Sequence, residues 1–336
     1  MNKYALGVRD YYWGSPYCKG PVTINHEKLL DFAKTLAARE PKAPNWREPK
    51  EIMPQNDKAF ACQEFYRSVV NFCYTHPAKP KEKFKIGPWT GSMAMAYCFQ
   101  REFGNNPITA DDIFRICETS AAMEKFFSGD MKLPLIWERR AMLGGAASIV
   151  DRHYNGDPLN ILIAANYRCF GDGCGRKRGV VDILIEDFPI AFGGDCHDFG
   201  GANQLVFAKR AQLWPLLYQG RALDSDALRP LDDVEDLGIP ADYQVPKTLR
   251  YLGILEYEQE SAGMVDSNQA IRRLSPFELG MRMATVAAAV KILEAVNALR
   301  PEILPRWTMV ELDYELWSAG RAAKNVPHHL TLTTDY

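Results

Sequence analysis

Long apolar runs are missing from this chain of 336 residues. Its most apolar stretch, around Ala284 to Val290, falls far short of the roughly 20 residues that cross a bilayer. The opening residues, MNKYALGVRDYYWG, carry no apolar segment of the kind that directs secretion. Cysteine is sparse, with eight scattered at 18, 62, 73, 98, 117, 169, 174 and 196. No C-x-x-C pair occurs, so a small disulfide-framed secreted domain is excluded and reduced thiols in the cytoplasm are expected. An excess of one charge is also lacking. Forty Lys and Arg stand against 42 Asp and Glu, for a net charge of -2 and a pI near 6.3. Neutralising the phosphates of long nucleic acid takes many clustered cations, so such a partner is not expected. There is no internal repeat and no low-complexity tail.

The composition itself, 47% hydrophobic, 24% charged and 11% aromatic, is that of a folded globular protein. Its length allows two domains at roughly 150 residues each. We read one catalytic unit over 1–336, with room for two interlocked lobes at about 1–170 and 171–336.

Helical signals dominate. Asn25 caps an apolar-periodic segment through Ala37, and 57–73 and 90–103 read as further helices around the loop Pro77 to Lys85. Thr109 with Asp112 forms a capping box. Asp157 and Pro158 open another helix. The clearest helix is Pro276 to Arg300, with Ser275 as cap, Pro276 in the first turn, Glu278 three residues after the serine and Pro301 as stop. Strand signals reduce to short stretches such as Val22 to Ile24. The expected fold is mostly α.

Several clusters invite a chemical reading and fail it. The glycines from Gly171 to Gly179 lack the G-K-[ST] ending of a phosphate loop. Cys169, Cys174, Cys196 and His197 do not have two-pair zinc spacing, and no H-E-x-x-H occurs, so no metal and no cofactor are expected. Lys79, Lys81, Lys83 and Lys85 make a basic loop that could touch a phosphate, with a solvated surface loop as the default reading. Two stretches are more informative. Phe188 to Gln212 places Asp195 and Asp198 in a glycine-rich turn before a helix, and Ile239 to Tyr257 places Asp242 before an aromatic and a proline-started helix. Locally, either aspartate serves as well for a turn or a cap.

Together these stretches resemble the queuosine salvage family, the queuosine 5'-phosphate N-glycosylases, over nearly the whole chain. Lys209-Arg210-Ala211-Gln212 matches its K-R-A-Q, and Ala241 to Lys247, ADYQVPK, is similar to its A-D-Y-R-V-P-Q. Asn71 to Tyr74 resembles its N-F-C-F/W, Pro134 to Arg139 its P-L-L-x-E-R, and Asp313 to Trp317 its D-x-x-L-W. Pro327 to Tyr336 resembles its C-terminal tail. Four departures stand out: Gly194 before Asp195 in place of an arginine, Gln244 and Lys247 in the A-D-Y motif, and Gly280 where a second glutamate is usual.

The resemblance implies a helical fold related to the helix-hairpin-helix DNA glycosylases. It implies hydrolysis of queuosine 5'-monophosphate, or a related 7-deazapurine ribonucleotide, to free base and ribose 5-phosphate, salvaging queuine for tRNA modification. It makes Asp242 and Asp195 the catalytic candidates, and Phe72, Tyr243, Lys209 and Arg210 candidates for the base and phosphate pocket. The chemistry suits these residue types. Breaking a ribosyl C1'–N bond builds oxocarbenium character that a carboxylate stabilises, and a second carboxylate held protonated can assist the departing base. An aromatic ring covers a flat heterocycle, and Lys or Arg holds a phosphate. The departures keep open a protein that binds such a nucleotide without cutting it. A DNA base-excision enzyme is the remaining alternative, and the acidic pI opposes it.

Overall fold

Fourteen helices carry the chain in a computed structural model that describes residues 3–14, 20–172, 177–198 and 204–336, and 53% of the structure is helical. They are α1 (Lys3–Gly14), α2 (His26–Ala37), α3 (Asp57–Val69), α4 (Ser92–Phe103), α5 (Ala110–Cys117), α6 (Ser120–Phe126) and α7 (Ile136–Tyr154). The rest are α8 (Asn160–Ala164), α9 (Val180–Asp187), α10 (Lys209–Ala222), α11 (Gln244–Tyr251), α12 (Gln259–Asp266), α13 (Pro276–Leu299) and α14 (Met309–Ala322). The strands among the described residues form three small antiparallel ribbons: Val22–Ile24 with Leu255–Tyr257, Lys85–Ile86 with Trp89–Thr90, and Cys196–Asp198 with Gln204–Val206. Cys18 and, within the glycine cluster Gly171 to Gly179, residues 173–176 with Cys174 among them lie outside the described residues.

Local chemistry accounts for most boundaries. The Asn25 side chain accepts the Lys28 N–H, Thr109 and Asp112 exchange capping bonds, and the Ser275 hydroxyl accepts the Glu278 N–H. The helix expected over 57–73 ends at Val69, because the chain turns there and Cys73 takes a positive φ of 38°. The helix expected from residue 90 starts at Ser92, after Gly91 at φ 60°. Beyond Pro158 only the five-residue α8 forms.

α13 is apolar nearly all round, as befits a helix enclosed by others, and it runs against α1, α2, α11 and α14. One buried cluster extends from Ala5 to Leu316. A second, smaller one of Ile52, Met53, Phe60, Met93 and Ala96 has Trp46, Trp89, Tyr97 and Trp317 packed on it. This second cluster forms the wall of a cleft. No described helix is long and apolar enough to cross a membrane.

The candidate active site, two aspartates and a lysine beside an aromatic wall

The turn 240–243 enters α11, and the Asp242 carboxylate folds back over its start. Oδ1 accepts the backbone N–H groups of Gln244 at 2.7 Å and Val245 at 3.1 Å, which is the cap reading of the sequence. Capping leaves the second carboxylate oxygen without a donor among the described residues. Burial pushes the Asp242 carboxyl up, and the Lys209 ammonium and the two N–H groups pull the other way.

Lys209 opens α10 and is buried. Its Nζ donates to the Asn71 carbonyl and to Asn71 Oδ1, both at 2.9 Å. Burial lowers its pKa to about 8, with Asp242, Asp313 and Asp195 opposing that fall. Asp313 sits on α14, whose start is fixed by the capping box of Thr308 and Glu311. Its carboxyl is pushed up to about 8, by burial first and by the Asp242 charge second, with Lys209 acting against both. Among the described residues no hydrogen-bond donor reaches Asp313, whereas Asp242 has two. Burial thus raises both carboxyls, and only Asp242 has hydrogen-bond donors that pull it back.

Asp313 opens into a cleft lined also by Glu64, Arg67, Asn71 and the rings of Trp46, Tyr314 and Trp317. The Trp46 ring meets Tyr314 at 5.4 Å and Trp317 at 5.8 Å, both edge-on. The same rings border an outer vestibule of about 450 Å³ that reaches Arg321 and the Pro44 to Pro49 loop. α10 holds that loop in place. Its Arg221 donates to the carbonyls of Asn45 and Trp46 and pairs with Asp57 at 3.0 Å. Gly220 lets the loop approach, since a Cβ there would stand 2.2 Å from the Pro44 carbonyl oxygen.

The other sequence-selected residues form a scaffold behind this site. Asp195 is buried, and Arg282 grips it at both oxygens, 2.7 and 2.8 Å. Burial alone would raise the Asp195 carboxyl, but Arg282 overcomes it and the group sits at about 2. The network reaches both α10 and the Asp242 turn: Asp195 Oδ2 accepts the Lys209 N–H at 3.0 Å, and Arg282 Nε donates to the carbonyl of Ala241, beside Asp242. Phe72 is fully buried with the guanidinium of Arg139 at 4.1 Å and that of Arg210 at 5.2 Å from its centroid, so it braces cations away from the cleft. Arg210 donates to the Val69 carbonyl. Tyr243 lies at the edge of the site, half-buried, with its ring 4.5 Å from that of His328.

Asp195, His197 and Asp335 have potential metal-ligating atoms within 4.8 Å of one another. Arg282 on Asp195 and Arg273 on Asp335, at 2.7 Å, already neutralise the two carboxylates. The donor set thus fits an internal ion-pair chain better than a cation site.

Sequence reasoning passed over Asp313, Trp46 and Arg321, and took Lys83 by default for part of a solvated loop. Asp313 was in view as the first residue of the D-x-x-L-W stretch. The others carried no local signal.

Helices α10, α11 and α14 thus bring Lys209, Asp242 and Asp313 within one another's electrostatic reach, with Asp313 beside a wall of three aromatic rings. A family model described as queuosine salvage protein matches residues 53–336, and the chain belongs to that family. It is 27% identical to the queuosine 5'-phosphate N-glycosylase/hydrolase of Sphaerobacter thermophilus, over 94% of this chain and 93% of that protein. It is 28% identical to the protein of the same description in Dictyostelium discoideum, over the full length of both, and 24% identical to that of Mus musculus over 92% and 93%.

Proposed function

We propose that the protein hydrolyses the N-glycosyl bond of queuosine 5'-monophosphate, or of a closely related 7-deazapurine ribonucleotide, in the cytoplasm, releasing the base for reuse in tRNA modification and leaving ribose 5-phosphate. The observation that supports this reading is that the buried Asp313 lines the aromatic cleft and lies within electrostatic reach of Asp242 and Lys209.

The uncapped oxygen of Asp242 faces the anomeric carbon and stabilises the positive charge that grows there as the C1'–N bond breaks. The bonding electron pair leaves with the base. A 7-deazapurine has no N7 to accept a proton, so the base must be neutralised at another edge, and protonated Asp313 supplies that proton. Water then bonds to C1', and its proton passes to a carboxylate, restoring the resting state. The base lies against the Trp46, Tyr314 and Trp317 rings. Lys209, fixed by Asn71, keeps Asp242 ionised without competing for the sugar. Asp195 works through Arg282 as a positioning residue for the Asp242 turn.

Incubating the protein with queuosine 5'-monophosphate and following liberated queuine by mass spectrometry tests the reading, and intact nucleotide after long incubation refutes it. The rate is expected to fall above about pH 8, where Asp313 loses its proton and Lys209 its charge. The acid limb should lie above the ordinary aspartate range, because Asp242 must be ionised and its pKa is raised. A pH–rate profile flat to pH 10 would contradict the assignment of Asp313.

A further inference from the structure

Two stretches of the sequence, 71–74 and 134–139, have no part in the chemistry described so far, and they meet behind the cleft. α3 ends at Val69, and the chain then turns through residues 70–73, with Cys73 at φ 38°. All five carbonyls from 69 to 73 accept from a cationic side chain. Arg210 donates to that of Val69 and Lys209 Nζ to that of Asn71, at 2.9 Å. Arg139 takes the other three, those of Val70, Phe72 and Cys73, the last at 2.9 Å. A helix end leaves carbonyls without intrahelical donors and carries the negative end of the helix dipole, so cations suit this place.

Arg139 sits in the first turn of α7 and is fully buried. Its Nε donates to the Pro134 carbonyl at 3.0 Å, so one guanidinium joins the 134–139 stretch to the turn. The Phe72 ring packs against it and against Arg210. Every acceptor of the three cations in this turn is a neutral oxygen, which satisfies a buried cation without cancelling its charge. Lys209 thereby keeps its field on Asp242 and Asp313, both of which it draws down. Its second bond, to Asn71 Oδ1 at 2.9 Å, fixes Nζ on the turn. A loose ammonium would find a stronger acceptor nearby. The Asp242 oxygen that is not used for capping would attract it, because a charge-assisted bond to a carboxylate outweighs one to a carbonyl.

We propose that Arg139 is a positioning residue for the hydrolysis: by gripping the carbonyls on both sides of Asn71, it sets the turn from which Asn71 holds Lys209 away from the free oxygen of Asp242. The proposal rests on the N-glycosidase reading and adds to it a residue that acts one layer behind the reacting groups. Arginine suits this post. Its N–H donors lie in one rigid plane and reach several acceptors at once, which a lysine ammonium on a flexible stem does not.

The test compares wild type with Arg139→Lys, Asn71→Ala and the double variant, with folding checked by circular dichroism and a thermal melt. Arg139→Lys keeps the charge and loses the fork, so its effect is one of geometry. On queuosine 5'-monophosphate each single variant should lose roughly 10- to 100-fold in kcat, with KM within about threefold of wild type. The double variant should fall within about threefold of the slower single, since both changes act through the same lysine. The acid limb of the pH–rate profile should move down in all three, because an ammonium resting on Asp242 favours its ionised form. A second arm needs no turnover: lysine-labelled protein is titrated by nuclear magnetic resonance, with the Lys209 signal assigned by its loss in Lys209→Gln. Lys209 feels Asp242, Asp313, Asp195 and Arg210, and it should titrate at about 8 in wild type and higher in the variants. Wild-type kcat in folded Arg139→Lys, losses that multiply in the double variant, or a Lys209 titration that stays or falls overturns the proposal. If Arg139→Lys does not fold, Arg139→Gln, whose amide still offers two N–H groups, takes its place. Should wild type release no base, the N-glycosidase reading falls, and the Lys209 titration still decides what the turn does.

Discussion

Asp242→Asn protein is expected to release base from queuosine 5'-monophosphate at least about a thousandfold more slowly than wild type, with its fold and nucleotide affinity retained. The geometry separates these effects. The carboxylate caps α11 through Oδ1, which accepts from Gln244 and Val245. An asparagine carbonyl takes over both bonds, so the turn survives. What disappears is the negative charge on the other oxygen, the part that answers the growing cation at the anomeric carbon. Single-turnover kinetics, paired with a thermal melt and calorimetry on the unreacted nucleotide, measures each half. A variant that melts like wild type and turns over within tenfold of it removes Asp242 from the chemistry. Conversely, a large loss of melting temperature makes Asp242 a cap first.

Arg282→Met should act on stability before catalysis. Arg282 is fully buried between the rings of Phe207, at 4.0 Å, and Tyr336, at 4.6 Å, and methionine fills much of that slot. The Asp195 charge is then left buried without its partner, at an expected cost of about 3–5 kcal/mol. Urea denaturation at neutral pH measures it. The pH dependence identifies the source. Asp195 has a folded pKa depressed to about 2, below its ordinary 3.8. Its contribution is therefore complete above the unfolded value and is lost as pH falls through the folded one. The gap between wild type and variant should narrow between about pH 4 and pH 2. A gap that is small at neutral pH, or constant across that window, would show that the pair contributes little.

The two aspartates chosen from the sequence thus have unlike fates, and the reason is long-range. Both lie in turns before a helix, and both match a motif. Nothing near Asp195 indicates that an arginine 87 residues away closes on it, and nothing near Asp242 indicates that Asp313 approaches from α14. Helix caps were legible because they are contacts between neighbours: Asn25, Thr109 with Asp112, and Ser275 behave as their sequence neighbourhood requires. The mostly helical class followed from those caps and the spacing of apolar residues. Lys209 and Arg210 look alike in sequence, and only the packing of α10 sends one toward the carboxylates and the other to the Val69 carbonyl. Phe72, a base-stacking candidate by its motif, packs against two guanidiniums brought from distant helices, a contact its neighbours in sequence do not signal. The inward turn of Lys83, whose Nζ lies 5.1 Å from the centre of the Tyr243 ring, had no local signature, since its loop alternates Lys with Pro, Glu and Phe as solvated loops do.

A single rod of backbone has Lys209 at one end and, at the other, the arginine that clasps the tryptophan strap. Lys209 and Arg221 are separated by about 18 Å along it, at the usual helical rise. Losing one residue from that rod would swing Arg221 about 100° round the axis and draw it about 1.5 Å closer, so the strap would be released while the lysine stayed seated. A change in the length of that rod would therefore be felt at the strap first, and the distance from Lys209 to the tryptophan is set by a count of peptide units.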